Sequence, residues 1–361
     1  MLYSKLTRLP QKNAVRCHLC AHRCIIPDGK AGFCLVRKNE SGKLCSLNWG
    51  KAVALAMDPI EKKPFFHFKP GTKVLSFGTP GCNFRCLNCQ NWDLSQGVRE
   101  SGQSVFDGND IPPAAIAEAA RRQKADGIAY TYSEPTIFFE YAYDTVQECK
   151  KMQKEKKLAK DFFHLFVSNG YFTKEMLDIV EKEKLLSAIR IDLKFTRDDK
   201  YYEITGGRFQ PVLDSIRRVA ALRNNSRWPV HLEVINLVIP GENDTPDDFR
   251  AVAEHLYSLS PDIPLHFSRF FPYYQMSHKP PTPIPSLLEA KKIAQDAGLH
   301  YVYVGNTDAE GAENTVCPKC NALLIERNKF SPGKNVFAKL GGEEKKNPAC
   351  PECGEKIEIV L

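Results

Sequence analysis

The sequence has no long uninterrupted apolar run. Its longest apolar stretch, Leu232–Pro240, is broken by Glu233 and Asn236 and is far too short to cross a bilayer. Residues 1–16 carry scattered charges and no apolar segment as long as a secretory signal requires. We therefore expect a protein without membrane spans that resides in the cytoplasm.

Low-complexity tracts and internal sequence repeats are also missing, which excludes repeat architectures such as solenoids. Apolar residues make up 43% of the chain and charged residues 26%, an ordinary balance for a globular protein that excludes wholesale disorder. At 361 residues, the chain can form one large domain with smaller additions.

The even set of cysteines that a disulfide framework needs is absent as well, because the chain has thirteen and no export signal. Metal binding explains them better, since cytoplasmic thiols stay reduced. Eleven of the thirteen fall into three groups: Cys17, Cys20, Cys24 and Cys34; Cys82, Cys86 and Cys89; Cys317, Cys320, Cys350 and Cys353.

Between Lys73 and Asn306, short β-rich runs alternate with amphipathic helical stretches, which is typical of β/α units around a parallel sheet. The predicted strands are Val74–Phe77, Ile128–Tyr132, His164–Ser168, Ala188–Leu193, Val230–Val238, Leu265–Phe270 and Tyr301–Val304. The predicted helices are Pro113–Ala125, Thr136–Leu158, Lys174–Glu183, Val212–Arg223, Pro246–Leu259 and Ser286–Ala297. We predict an α/β fold: a partial (β/α)6-type, TIM-like barrel of parallel strands with a cysteine module at each end.

This pattern divides the chain into an N-terminal basic module of residues 1–72, a barrel of residues 73–306 and a C-terminal module of residues 307–361. Residues 1–73 hold 14 Lys and Arg against 4 Asp and Glu. A solvated basic surface is the simplest explanation, and an anionic partner such as RNA is the alternative. The solvated surface is favoured because no aromatic residues are interleaved with these charges, and nucleic-acid binding stays open.

The first predicted strand leads into a loop with Cys82, Cys86 and Cys89 in Cys-x3-Cys-x2-Cys spacing. Three thiolates can bind three irons of a [4Fe-4S] cluster and leave the fourth iron open. The amino and carboxylate groups of S-adenosylmethionine (SAM) could chelate that iron. A structural zinc site is the alternative, but structural zinc normally takes four protein ligands.

This loop resembles the signature of radical SAM enzymes. In a parallel barrel the loops after the strands carry the chemistry, and three further strand ends resemble elements of glycyl-radical activating enzymes. Ser133-Glu134-Pro135 is similar to their Gly-Gly-Glu-Pro element, with serine in place of glycine. Ser168-Asn169-Gly170 is similar to their Thr-Asn-Gly step, and Asp192-Leu193-Lys194 to their Asp-Leu-Lys.

The resemblance implies that backbone groups near Ser133 and the Glu134 carboxylate hold the SAM amino group. It also implies that Lys194 contacts the SAM carboxylate, which charge complementarity favours. Asn88 stands at a position that is often aromatic and packs near the adenine in that superfamily, so Phe84 or Trp92 could supply this contact. The other candidates for contact with the cofactor or substrate are Ser168, Asn169, Asp192 and His266.

Over nearly its whole length, the chain resembles the radical SAM member of the AmmeMemoRadiSam system. The segments that carry this resemblance include Gly32-Phe33-Cys34, Pro59–Pro64, Tyr301–Asn306 and the terminal cysteine motifs. The resemblance implies radical SAM chemistry and an association with the other proteins of that system. It leaves the substrate open.

The four N-terminal cysteines, Cys17, Cys20, Cys24 and Cys34, could bind zinc, which we favour, or an auxiliary [4Fe-4S] cluster, or stay free. At the other end of the chain, two Cys-x2-Cys motifs predict a zinc ribbon, with rubredoxin-type iron as the alternative. They consist of Cys317, Cys320, Cys350 and Cys353.

The sequence therefore predicts an enzyme that uses a [4Fe-4S] cluster to cleave SAM reductively and abstract hydrogen from a substrate through a 5′-deoxyadenosyl radical. An external one-electron donor of the flavodoxin or ferredoxin type is then required. The alternatives are a glycyl-radical enzyme activase and, from a different class, a non-catalytic iron-sulfur electron carrier or scaffold.

Overall fold

The computed structural model describes residues 3–5, 13–102, 110–224, 228–328, 331–338 and 341–361. Its strands are β1 (Tyr3–Lys5), β2 (Val15–Cys17), β3 (Ile25–Ile26), β4 (Arg37–Glu40), β5 (Lys43–Ser46), β6 (Val53–Pro59), β7 (Lys73–Gly78), β8 (Gly127–Tyr130), β9 (Phe163–Ser168), β10 (Ala188–Asp192), β11 (His231–Val238), β12 (Leu265–Arg269), β13 (Val302–Gly305), β14 (Thr315–Val316), β15 (Leu323–Asn328) and β16 (Ser331–Asn335). Its helices are α1 (Trp92–Glu100), α2 (Pro113–Arg122), α3 (Phe139–Lys154), α4 (Lys174–Lys182), α5 (Asp198–Thr205), α6 (Phe209–Arg223), α7 (Pro246–Tyr257), α8 (Ile284–Asp296) and α9 (Gly342–Lys346).

An eight-stranded sheet forms the centre of the described structure, with the strand order β6-β7-β8-β9-β10-β11-β12-β13. Strands β7 to β13 are parallel, whereas β6 pairs antiparallel with β7 at one edge. The two edge strands do not pair with each other, so the barrel is open. The predicted α/β partial barrel is confirmed, and each predicted strand matches an observed one.

Three elements of the sheet region were not predicted: β6, α1 and α5. Both helices are shorter than the window of about 11 residues over which the hydrophobic periodicity of a helix can be recognised in a sequence. Strand β6 lies in the predicted N-terminal module and has an irregular register with β7 between Val53 and Ala56, so its side chains do not alternate cleanly. Within the described residues, no helix is both long and apolar enough to span a membrane.

The two faces of the sheet have different surroundings, as the alternation of side chains along β10 shows. Ile189 and Ile191 belong to the large apolar core under the helices, whereas Ala188 belongs to a smaller cluster inside the barrel. Arg190 and Asp192 share the face of Ala188. The barrel interior is therefore apolar at its base and charged toward the carboxyl ends of the strands.

The segment between β6 and β7 closes the base of the barrel. Its side chains Ile60, Phe65 and Phe68 are buried with small and apolar side chains of β7 to β10. These partners are Val74, Ala129, Phe163, Leu165 and Ala188. The base of the barrel is thus packed, and the open end lies at the carboxyl ends of the strands.

A fully buried carboxylate, that of Glu233 on β11, ties this segment to the barrel. It accepts hydrogen bonds from the backbone N–H groups of Phe66 (2.9 Å) and His67 (2.8 Å). The Nε2 atoms of His231 and His266 lie 3.1 and 2.7 Å from its two oxygens. Because so many donors surround it, the pKa of Glu233 is held well below its usual range despite burial.

The C-terminal residues pack against the same segment through Arg327 of β15. Its guanidinium donates to the carbonyl oxygen of Phe66 at 2.7 Å and to Thr315 Oγ1 at 2.8 Å, and it lies over the Phe66 ring at 4.3 Å. Phe66 and Tyr303 share an apolar cluster with side chains of the C-terminal sheet. The C-terminal residues therefore cover the base of the barrel.

Two buried histidines are held in neutral form. His67 Nδ1 donates to the carbonyl oxygen of Glu358 at 2.8 Å, so its Nε2 accepts from the Tyr303 hydroxyl at 2.5 Å. His164 lies 3.1 Å from the hydroxyl of Tyr130. Burial lowers the pKa of each histidine from 6.5 to about 3.

These histidines predict a loss of stability in mild acid. Their folded-state pKa values lie below the unfolded value of 6.5, so each takes up a proton only on unfolding as the pH falls from 6.5 toward 3. Each histidine should then contribute a slope of about 1.4 kcal/mol per pH unit to the free energy of unfolding. We expect His164→Phe to remove one such slope, measured by anaerobic urea unfolding between pH 7 and 5. Identical slopes for wild type and variant would contradict a neutral buried His164.

Candidate active site

The three-cysteine loop follows β7 and is shaped by a glycine. Gly81 has a φ of +97°, and a Cβ atom there would lie 2.5 Å from Val36 Cγ1 and 3.4 Å from the Cys34 carbonyl oxygen. Only glycine fits this conformation and this approach. The loop therefore packs directly on the segment that carries the N-terminal cysteines.

Helix α5, which the sequence analysis missed, anchors the middle of the loop. The backbone N–H groups of Arg85 and Leu87 donate to the carbonyl oxygens of Thr205 (2.7 Å) and Ile204 (3.0 Å) at the end of that helix. Phe84 is fully buried and contacts the rings of Tyr171 and Tyr201. Phe84 is thus a packing residue of the loop, and its predicted contact with the adenine remains a prediction.

The structure brings Cys82, Cys86 and Cys89 together at the carboxyl end of β7. The Phe84 N–H donates to Cys82 Sγ at 3.3 Å, and Ser95 Oγ lies 3.0 Å from Cys89 Sγ. Burial raises the pKa of all three thiols, that of Cys86 to about 12. Such thiols are good metal ligands only when the metal displaces their protons, which is the usual behaviour of an iron-sulfur or zinc site.

Glu134, at the end of β8, joins the next two strand ends to one another. Its Oε1 accepts from the Thr136 backbone N–H (3.0 Å), Thr136 Oγ1 (2.5 Å) and Ser168 Oγ (2.6 Å). Its Oε2 accepts only from the Asn169 N–H, at 2.8 Å, among the hydrogen bonds of the described residues. Oε2 therefore keeps room for one further donor.

Asn83, which is not among the residues predicted from the sequence, connects this network to the cysteine loop. Its Oδ1 accepts from Asn169 Nδ2 at 2.7 Å, and its carbonyl oxygen accepts from His22 Nε2 at 2.7 Å. Asn83 Nδ2 is buried without a hydrogen-bond partner among the described residues. The position of Asn83 between Cys82 and Cys86 could have indicated this role, because a polar side chain that is buried in a ligand loop usually forms a hydrogen bond.

A charged group lies at the end of β10, opposite the cysteines. Lys194 Nζ donates to Asp192 Oδ2 at 3.0 Å, and Arg190 Nη1 lies 2.9 Å from Asp192 Oδ1. Burial alone would lower the pKa of Lys194, but the nearby Asp192 carboxylate raises it above the usual range of lysine. A permanent positive charge therefore stands beside the cysteine loop.

Three other predicted contact residues, Asn88, Trp92 and Ser133, lie in or beside the loop. Asn88 is buried, and its Oδ1 has no hydrogen-bond partner within the described part of the chain. Trp92 is partly exposed and stacks on the Tyr274 ring, with the ring centres 5.4 Å apart. Ser133 Oγ donates to the Thr79 carbonyl oxygen at 2.7 Å, so it holds the β8 loop against the β7 loop.

The structure does not bring His266 to this group. Its Nε2 lies 2.7 Å from Glu233, and its ring stacks on Tyr303 and meets the Phe66 ring edge-on. These partners belong to the base of the barrel. Its position follows from the strand itself: His266 is the second residue of β12, so it lies toward the base and not after the strand's carboxyl end.

Both terminal cysteine modules assemble in the structure. In the C-terminal module the sulfur atoms of Cys317 and Cys353, and those of Cys320 and Cys350, lie 3.6 Å apart. All four sulfur atoms lie within 4.8 Å of one another, as a metal site requires. The four N-terminal cysteines line one small enclosed cavity together with His22 and Arg37.

Comparison with known proteins agrees with this geometry. The model of the Radical SAM superfamily matches residues 77–256. An uncharacterized protein of Methanocaldococcus jannaschii is 41% identical over 367 residues, which cover 100% of this chain and 99% of that protein.

Two relatives with named activities match shorter stretches. A putative glycyl-radical enzyme activating enzyme of Methanocaldococcus jannaschii is 25% identical over 223 residues, which cover 60% of this chain and 74% of that protein. The pyruvate formate-lyase-activating enzyme of Listeria monocytogenes is 22% identical over 196 residues, which cover 53% of this chain and 71% of that enzyme. With three cysteines in the superfamily's spacing at the carboxyl end of a parallel barrel, the chain belongs to the radical SAM superfamily.

Proposed function

We propose that this protein is an enzyme that binds a [4Fe-4S] cluster through Cys82, Cys86 and Cys89 and reductively cleaves SAM to abstract hydrogen from a substrate. The observation that carries the proposal is the convergence of these thiols with Glu134 and Lys194 at one edge of the sheet. An electron carrier or scaffold would hold its cluster with four thiolates rather than three, and it would have no use for the charges of Glu134 and Lys194 beside the cluster. The bound cluster and SAM would supply a 5′-deoxyadenosyl radical.

The residues fit the two charged ends of SAM. Glu134 Oε2, with room for one more donor, suits an ammonium group, and the Lys194 ammonium suits a carboxylate. The hydrogen bond between Asn83 and Asn169 fixes the cysteine loop relative to the loop that follows β9. The three cysteines and Glu134 therefore keep their relative positions. Asn88 Oδ1, a buried acceptor without a partner among the described residues, suits the amino group of an adenine.

For a small-molecule substrate, the candidate space is a cavity beside the loop that follows β13, whose lining residues are distinct from Cys82, Cys86, Cys89, Glu134 and Lys194. It has a volume of about 660 Å³ and is lined by Arg269, Asn306 and Arg327 among others. This volume is typical of sites for metabolite-sized ligands. Asn306 Nδ2 donates to Ser268 Oγ at 2.9 Å, which links the cavity wall to the interior face of β12.

A glycyl-radical enzyme activase is the second candidate, because two relatives carry that activity in their names. In that case the hydrogen would come from a glycine of a partner protein. The two candidates differ in their product, since an activase leaves a stable glycyl radical on the partner that electron paramagnetic resonance (EPR) detects.

For the C-terminal module we propose a structural zinc ion. Four thiolates at about 2.3 Å from one zinc stand about 3.8 Å from one another, close to the 3.6 Å separations observed. The zinc ion would stabilise the sheet of β14, β15 and β16, which carries Arg327. This sheet would in turn stay packed against the base of the barrel.

The first prediction concerns SAM cleavage. Anaerobically reconstituted wild type with dithionite and SAM should form 5′-deoxyadenosine, measured by chromatography, and Cys86→Ala should form none, because an incomplete thiolate set cannot present an open iron. Cys149→Ala is the matched control, since Cys149 is buried on α3 outside the three groups. A fully loaded, reducible wild-type cluster that neither binds nor cleaves SAM would refute the proposal.

The second prediction concerns Lys194. Lys194→Gln should raise the Kd for SAM about 10-fold to 100-fold, because a hydrogen bond to a charged group contributes roughly 1.5–3 kcal/mol. Iron content should stay unchanged. Equilibrium dialysis with radiolabelled SAM measures the Kd, with Lys174→Gln as control because Lys174 is exposed and paired only with Asp178 on α4. An unchanged Kd in Lys194→Gln would rule out the assigned carboxylate contact.

A further inference from the structure

The four N-terminal cysteines line one cavity, and their arrangement differs from that of the four C-terminal cysteines. We infer that Cys17, Cys20, Cys24 and Cys34 hold an auxiliary [4Fe-4S] cluster, and that this cluster delivers electrons to the cluster of the three-cysteine loop. The proposed electron transfer rests on the proposed function. The proposal that the N-terminal cysteines bind a cluster is independent of it.

The spacing of the sulfur atoms separates the two modules. Among the described residues, the C-terminal cysteines form the only group of three or more candidate ligands whose atoms all lie within 4.8 Å. The four N-terminal cysteines also lie in the described part of the chain, but their sulfur atoms do not all lie within 4.8 Å of one another. The same holds for the sulfur atoms of Cys82, Cys86 and Cys89. Thiolates on one zinc must lie this close together, whereas thiolates of a cubane cluster bind different irons and stand further apart.

The space between the N-terminal sulfur atoms supports the same conclusion. The cysteines enclose a cavity of about 10 Å³, which is about the volume that a single water molecule needs. Four thiolates drawn in to about 2.3 Å from a zinc ion would leave no such space. The backbone therefore holds the thiols around a larger object than one metal ion.

The charge around the cavity suits an anionic cluster. Arg37 is almost fully buried and lines the cavity; its Nη1 and Nη2 bind Glu140 at 2.7 and 2.6 Å. Its Nε is a buried donor without a partner among the described residues. The Phe33 N–H also donates to Cys24 Sγ at 3.4 Å. Donors of this kind stabilise cluster sulfur atoms and adjust the reduction potential.

The site also adjoins the three-cysteine loop. Arg99 Nη2 donates to the carbonyl oxygen of Phe33 at 2.6 Å and to that of Cys82 at 3.4 Å. His22, two residues from Cys20, donates to the Asn83 carbonyl oxygen and stacks on Phe33. The two segments that carry these cysteines are therefore in direct contact.

Four protein ligands leave no open iron at this site, so it cannot bind SAM or substrate as the other cluster does. Electron transfer is the remaining chemistry. A reduced donor protein of the flavodoxin or ferredoxin type loses one electron to the auxiliary cluster, which passes it to the cluster of Cys82, Cys86 and Cys89. No bond or proton changes in this step.

The test of identity uses the full chain with Cys82, Cys86 and Cys89 replaced by alanine, which leaves the N-terminal cysteines intact. After anaerobic reconstitution we expect about four irons, about four sulfides and about one zinc per chain, and an EPR signal on reduction. Two zinc ions without iron, or one zinc with neither iron nor sulfide, would overturn the inference. If this variant holds its cluster while wild type cleaves no SAM, the proposed function alone fails.

The test of electron transfer compares Cys24→Ser with Cys45→Ser, since Cys45 lies outside the three groups on β5. With reduced flavodoxin as donor, Cys24→Ser should form 5′-deoxyadenosine at least tenfold more slowly than wild type. With titanium(III) citrate, a small reductant that reaches the cluster of the three-cysteine loop without a relay, the deficit of Cys24→Ser relative to wild type should shrink, and Cys45→Ser should match wild type with both donors. Wild-type rates with flavodoxin in Cys24→Ser would overturn the electron-transfer role.

Discussion

The buried carboxylate of Glu134 is the interaction on which the geometry of the candidate active site depends. It collects donors from its own loop and from the end of β9, and Asn169 extends the network to Asn83 in the cysteine loop. Three consecutive strand ends are thereby held in one arrangement. A buried carboxylate without these donors would be costly, so the loops and the charge stabilise each other.

A second constraint acts at the opposite end of the barrel. The segment between β6 and β7 fills the base, Glu233 binds its backbone, and Arg327 attaches the C-terminal sheet to it. The base is consequently closed by two parts of the chain that are far apart in sequence. Access to the interior is left to the carboxyl ends of the strands, where the cysteine loop and Lys194 lie.

The two terminal modules illustrate how tertiary structure distinguishes metal sites of equal composition. Both contain four cysteines, and their spacing in sequence led us to favour zinc for each. The C-terminal sulfur atoms are compact, as one zinc ion requires, whereas the N-terminal ones surround a cavity beside a buried arginine. Backbone geometry, rather than ligand type, decides how large a group each module can hold.

The sequence by itself determined the parallel barrel and the three-cysteine loop, because alternating hydrophobic patterns and ligand spacing are local properties of the chain. It also predicted that Glu134, Asn169 and Lys194 would lie at the same end of the barrel, since the carboxyl ends of parallel strands share one edge. Only the tertiary structure decided that Asn83 joins the network and that α5 anchors the loop. These depend on long-range packing: Asn83 pairs with a residue 86 positions away, and no local pattern encodes which distant donor a buried polar atom will meet.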